Sequence, residues 1–275
     1  MGLVFGTAGI PYRAKGLGTD DGIREVARLG LAAMELEFVK GVHMNTALAE
    51  RVRSVAEGLG VSLSVHAPYW INLNAKEKPK LLRSINYILD SARVGFAAGA
   101  VDIVFHPAFY TGDDPGVVHE RVKESLARIQ ETLRAEGVRV VLRPETTGKP
   151  SQYGSLEELV SLSAELPDVL PCVDFAHLHA RSGGAMNTEA EFHAALDLLE
   201  KELGPSALSR MHIHISGIEY TAKGEREHIR LADSDMNWKG LLSVLHERGV
   251  SGTVISESPV LEDDALLMKD FYEGL

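Results

Sequence analysis

One cysteine, Cys172, stands in 275 residues, so no intrachain disulfide can staple the fold, and a disulfide-dense secreted scaffold is excluded. No apolar run reaches the ~18 residues that a membrane-spanning helix needs. The opening MGLVFGTAGIPYR has neither the basic start nor the apolar stretch of a secretory leader. A cytoplasmic location is the expectation. Positive charge is scarce as well: 28 Lys and Arg face 39 Asp and Glu, a net charge of −11 with histidine neutral. That argues against a surface that coats nucleic acid generally, because such binding rests on Lys and Arg at the phosphates. Local contact with DNA stays open, since bound metal ions offset carboxylates that count as negative in the sum. There is no linker, low-complexity tract or short-period repeat, and GTAGIP near residue 6 is not the glycine-rich G-x-G-x-x-G turn of a dinucleotide fold. One domain over residues 1–275 is expected.

What is present is an ordinary globular composition, 45% hydrophobic and 24% charged, enough to bury a substantial core. Eight short apolar runs read as strands, at residues 3–10, 32–38, 62–67, 101–107, 138–145, 170–177, 211–216 and 252–258. Segments of helical periodicity such as ALAERVRSVAEGL and RVKESLARIQETLRAEG lie between them. Gly30, Gly60, Gly99, Gly137 and Gly249 follow helical runs, where a left-handed cap is favoured. Ser155 and Glu158 have capping-box spacing. Eight strands alternating with eight helices predict a closed (β/α)8 barrel, with an open doubly wound sheet as the alternative.

In such a barrel the functional face is at the C-terminal ends of the strands. Those ends carry His66, His106, Glu145, Asp174 with His177, His214 and Glu257. Each has a bland explanation taken singly: a capped strand end for His106, a pairing with Arg143 for Glu145, packing for Tyr69 and Trp70. His212 and His214, two apart, share a strand face, so that one belongs to the core and the other to the site. His43, His119, His193 and His246 read as surface or packing residues. Jointly the bland explanations fail, because carboxylates and imidazoles converging on one rim carry a large desolvation and repulsion cost unless cations lie between them. A mixed nitrogen and oxygen set suits zinc or manganese, zinc being favoured as imidazoles accumulate. About eight ligands exceed what one ion takes, so at least two ions are expected, with Glu145 best placed to bridge them.

The ordered set His66-Ala-Pro-Tyr-Trp-Ile-Asn-Leu, His106-Pro, Pro144-Glu145-Thr-Thr-Gly, Asp174-Phe-Ala-His177, His214-Ile-Ser, Arg226-Glu-His228 and Glu257-Ser-Pro resembles endonuclease IV, within the xylose isomerase-like TIM barrels. The resemblance implies a trinuclear zinc cluster that cleaves the phosphodiester 5′ to an abasic site. It also implies a ligand assignment. His66, His106 and Glu145 hold one ion, Glu145, Asp174, His214 and Glu257 a second, and His177 with His228 contribute to a third. Tyr69 takes the place of a residue that packs on DNA, and Glu145 positions the attacking water or accepts its proton. One departure stands out: the family's D-x-H aspartate is replaced by Arg226, which makes Arg226 a candidate phosphate contact and Glu225 or Glu227 candidate substitutes. H-I-S-G at His214 to Gly217 and Leu231-Ala-Asp-Ser also depart from the family pattern. Abasic duplex DNA is the expected partner, and the chain is expected to be a monomer. The four-ligand set alone fits a single-metal sugar isomerase or epimerase equally well. A metal-stabilised barrel without turnover is a third reading.

Overall fold

The structure, a computed structural model, describes residues 2–275. Eight parallel strands carry the architecture: β1 (Leu3–Ala8), β2 (Ala33–Glu37), β3 (Ser62–His66), β4 (Asp102–Phe105), β5 (Val141–Pro144), β6 (Cys172–Asp174), β7 (Met211–Ile215) and β8 (Gly252–Ser256). Their order around the sheet is β5-β4-β3-β2-β1-β8-β7-β6. The two ends meet through parallel bridges Leu142 to Val169 and Glu145 to Cys172, which close the cylinder. Short, hydrophobic, β-branched strands buried on both faces are what a parallel barrel requires. Outside it pack α1 (Thr19–Arg28), α2 (Thr46–Leu59), α3 (Lys78–Ala97), α4 (Pro115–Ala135), α5 (Leu156–Glu165), α6 (Phe175–Arg181), α7 (Glu189–Leu203), α8 (Trp238–Glu247) and α9 (Glu262–Glu273).

Local chemistry sets where these helices begin and end. Asn45 caps α2 by accepting the amide of Leu48, and Gly60 closes it at φ 67°, a left-handed conformation that glycine adopts without strain. Asp114 accepts two amides at the start of α4, with Pro115 as its first residue. The Ser155 and Glu158 capping box forms on α5 as the spacing predicted. The apolar stripes of these helices seal the outer core; Phe175 and Phe192, both fully buried, meet edge to face at 6.0 Å.

The structure differs from the sequence reading in three places. The sixth strand ends at Asp174 and not at His177. The Asp174 side chain accepts the His177 amide at 2.6 Å and so starts α6, which puts His177 on a first helical turn. After β7 comes an antiparallel hairpin, Gly217–Thr221 with Gly224–Ile229, and a second small pairing joins Ala108–Phe109 to Gln152–Tyr153. Both build up the C-terminal rim, and both are too short and polar to stand out as apolar runs. Arg143 does not pair with Glu145: its guanidinium donates to Asp102 at 2.5 Å and to the Arg210 carbonyl at 2.8 Å, on the other side of the barrel core. No helix among the described residues is long and apolar enough to cross a membrane.

Candidate metal centre

Glu145, the residue after β5, lies at the middle of the rim, its amide bonded to the Phe105 carbonyl at 3.0 Å. Its Oε2 is 3.1 Å from His66 Nε2 and 3.0 Å from His106 Nε2. Its Oε1 is 3.1 Å from His177 Nδ1 and 3.4 Å from His214 Nδ1. Glu257, just past β8, brings one carboxylate oxygen to 3.3 Å from His214 Nδ1 and the other to 3.7 Å from His228 Nδ1. The fold thus collects donors into three overlapping sets whose ligand atoms all lie within 4.8 Å of one another: His66, His106 and Glu145; Glu145, Asp174, His214 and Glu257; and Asp174, His177, His228 and Glu257. Ligand atoms around a tetrahedral zinc at its usual bond lengths stand about 3.4 Å apart. The observed separations match that spacing.

The way these groups are held argues for cations. His66 Nδ1 is 2.9 Å from the Ala67 carbonyl and His177 Nδ1 is 2.9 Å from the Thr146 carbonyl. Each neutral ring so anchored through Nδ1–H presents an Nε2 lone pair to the site, the arrangement typical of metal-binding histidines. His177 Nε2 and His228 Nε2 face one another at 3.2 Å, which requires a proton or a cation between them. Glu145 Oε1, Asp174 Oδ2 and both ring nitrogens of His214 are buried without a hydrogen-bond partner in spite of their close neighbours. Orphaned polar atoms of this kind are rare in folded proteins and mark a missing ion or a strained site. The donor set fits divalent ions.

Electrostatics point the same way. Burial alone would raise Glu145, but the field and bond of His106 with those of His177 and His214 hold it well below the usual carboxylate range. Burial alone would lower His66, yet its bond to Glu145 and the charge of Glu37 push it up to about 10. Burial likewise opposes the charge on His177 and His214, yet Asp174 and Glu145 raise His177, and Cys172, Glu257 and Glu35 raise His214, both well above the usual imidazole range. Asp174, which burial dominates, is pushed well above its usual value. Without a metal, protonated imidazoles supply the positive charge that the carboxylates demand.

Two acidic residues escaped the sequence reading. Glu35 and Glu37 lie on β2; Glu35 Oε2 accepts from Ser64 at 2.6 Å and is 2.9 Å from His212 Nε2, while Glu37 lines the pocket and burial pushes it up to about 8. Their signal was present: two glutamates two apart in the apolar run AMELEF point to one face of a strand. Glu225, in the hairpin, places Oε2 3.8 Å from His177 Nε2. Arg226 is not brought to the pocket. It is exposed and pairs with Glu219 at 2.8 Å, because the hairpin register shifts here: Tyr220 pairs with Glu225 and Glu219 with Glu227, so Arg226 bulges outward while Glu225 and His228 line the pocket. Tyr69 and Trp70 are not core residues; they are 52% and 68% exposed, with the Tyr69 ring 5.8 Å from that of His66. Both His212 and His214 are buried, with His212 beneath the site. Among the candidate cations, Lys149 lines the pocket, whereas Lys76 is tied to Asp113 and Lys80 to Glu77.

A cylinder of eight parallel strands with this rim of imidazoles and carboxylates places the protein in a known class. Residues 23–270 match the family described as xylose isomerase-like TIM barrel. The chain belongs to that family. It is 43% identical to an uncharacterized protein of Methanocaldococcus jannaschii, over 99% of this chain and 98% of the relative. It is 25% identical to a probable endonuclease 4 of Shouchella clausii, over 67% of this chain and 63% of that relative, so it spans less than two thirds of that protein. The crystal structure of endonuclease IV from Thermus thermophilus superposes with a TM-score of 0.73 at 24% identity, covering 94% of this chain and 93% of that one. A D-tagatose 3-epimerase-like protein superposes with a TM-score of 0.72 at 17% identity, covering 98% and 96%. At these identities the two structures speak to the fold alone.

Proposed function

We propose that the protein is a metal-dependent endonuclease that hydrolyses the phosphodiester 5′ to abasic sites in duplex DNA. The carrying observation is the excess of donors: His66, His106, His177 and His228 stand beside Glu145, Asp174, His214 and Glu257, more than one ion can take while leaving a position open for substrate. The similarity to proteins named endonuclease 4 supports the same reading. Zinc ions held by these residues would polarise the phosphodiester, acidify an attacking water and offset charge on the leaving oxygen.

The chain's own groups have distinct tasks. Glu145, within reach of four imidazoles, orients the attacking water and takes up its proton. Glu225 joins His177 and His228 in place of the aspartate that position 226 lacks. Lys149 offers an ammonium to the phosphate backbone from the pocket wall. Tyr69 and Trp70 present apolar ring surface at the rim, suited to a nucleotide without its base, which loses little stacking on leaving the helix. The test is incubation of zinc-loaded protein with a duplex carrying a tetrahydrofuran abasic analogue. A chelator-sensitive 5′ nick is expected; folded, metal-replete protein that leaves the duplex intact overturns the reading.

A second reading has its own observation. Glu145, Asp174, His214 and Glu257 form a complete four-ligand set, and the fold is shared with an epimerase-like protein. Two glutamates on one ion would suit proton transfer at a carbon next to a carbonyl. Metal analysis separates the two: one ion per chain favours the epimerase, two or three the nuclease.

A further inference from the structure

The geometry points to Glu35 as a positioning residue that holds His214 with its proton on Nε2, so that Nδ1 is turned toward Glu145 and Glu257. The inference rests on the metal-centre reading above and adds a residue from inside the barrel, one layer below the rim.

The strand register makes this layer. Glu35 on β2 stands beside Ser64 on β3, and His212 and His214 reach the same interior from β7. Glu35 is completely buried. Its Oε2 is held from two sides, by the Ser64 hydroxyl at 2.6 Å and by His212 Nε2 at 2.9 Å. With Oε2 engaged on both sides, Oε1 stands 3.0 Å from His214 Nε2. That contact lies outside hydrogen-bond angles, and neither atom has any other hydrogen-bond partner among the described residues. Leaving a buried donor or acceptor unsatisfied costs about 1–3 kcal/mol, more for a charged group. At 3.0 Å a carboxylate oxygen is stabilised beside His214 Nε2 only when that nitrogen carries its proton, so a neutral His214 holds it there. The remaining nitrogen, Nδ1, then carries its lone pair 3.4 Å from Glu145 and 3.3 Å from Glu257. A lone pair facing two carboxylates is repulsive unless a cation lies between them. Carboxylates that bind the far nitrogen of a metal-ligating histidine fix its tautomer and raise its basicity, and losing one typically costs about 10–100-fold in metal affinity.

The competing explanation is that Glu35 only packs the barrel through Ser64 and His212. Two measurements separate them. Zinc affinity, read by competition with a fluorescent chelator, is expected to fall about 10–100-fold in Glu35→Gln, with part of the loss restored in Glu35→Asp. Phe192→Leu, a remote core change, is expected to lower the melting temperature without moving zinc affinity. Long-range 1H–15N spectra of zinc-loaded wild type are expected to show His214 protonated on Nε2. Wild-type zinc affinity in Glu35→Gln, or a His214 proton on Nδ1, overturns the inference. The spectrum needs no variant and can overturn the inference even if Glu35→Gln fails to fold. A wild-type chain that binds no zinc removes the metal-centre reading itself, an outcome distinct from a Glu35 variant that binds as well as wild type.

Discussion

Replacing Glu145 by Gln keeps the shape of the side chain and removes one negative charge from the middle of the rim. In the metal-free protein that charge is set against His66 and His177 at 3.1 Å and His106 at 3.0 Å. It is the partner that sustains protonated His66 and His177, both buried. Deleting one member of a buried charge pair costs about 3–5 kcal/mol. For a chain of this size one kcal/mol is worth about 2 °C, so metal-free Glu145→Gln should melt about 6–10 °C below metal-free wild type. The metal-loaded comparison adds a second effect, since the carboxylate shared by two donor sets is lost and zinc content should drop by at least one ion per chain. Nicking of an abasic duplex, if Glu145 handles the water's proton, should fall by about 10²–10⁴-fold. Differential scanning fluorimetry with and without chelator, elemental analysis and a gel assay read the three quantities. A variant with unchanged zinc content and unchanged melting temperature would refute the claim that Glu145 organises the site.

The pH dependence of the metal-free protein follows from His66, whose folded value of about 10 lies above the ordinary 6.5. The stabilisation is fully present below pH 6.5 and is lost as pH rises through 10. Chelated protein should therefore melt at progressively lower temperature from pH 7 to pH 10, and zinc-loaded protein, whose imidazoles are already neutral, should show a much flatter profile by the same fluorimetry. Burial holds the Cys172 thiol well above its usual value, so it should resist a thiol reagent in the native state and react once per chain in denaturant. Tyr69 and Trp70 are exposed, so changing either to Ala should leave the melting temperature within about 1 °C while weakening abasic-duplex binding by about 1–3 kcal/mol in a fluorescence titration. Equal binding by both variants would remove their role in holding the duplex.

The barrel was legible because its determinants are local: β-branched runs of strand length, helical periodicity between them, caps such as Asn45 and the Ser155–Glu158 box, and glycines at helix ends. The rim was legible in part for the same reason. A polar residue closing an apolar strand, as at His66 or Glu257, breaks a pattern the eye can follow, and the family motifs carry the rest. Glu225 was harder, because it lies in a hairpin with no apolar signature, and its neighbour Arg226 sits at the motif position.

The sequence by itself determined the class of fold and the chemistry available at one mouth of it, since strand ends of a parallel barrel converge wherever the chain alternates as this one does. Only the tertiary structure decided which atoms meet. It turned His177 onto a helix through the Asp174 cap, sent Arg143 to Asp102 and Arg226 to solvent, and set Glu35 beneath His214. Those outcomes depend on strand register and closure between residues as far apart in the chain as Glu35 and His214, a relation that no local pattern of residues encodes.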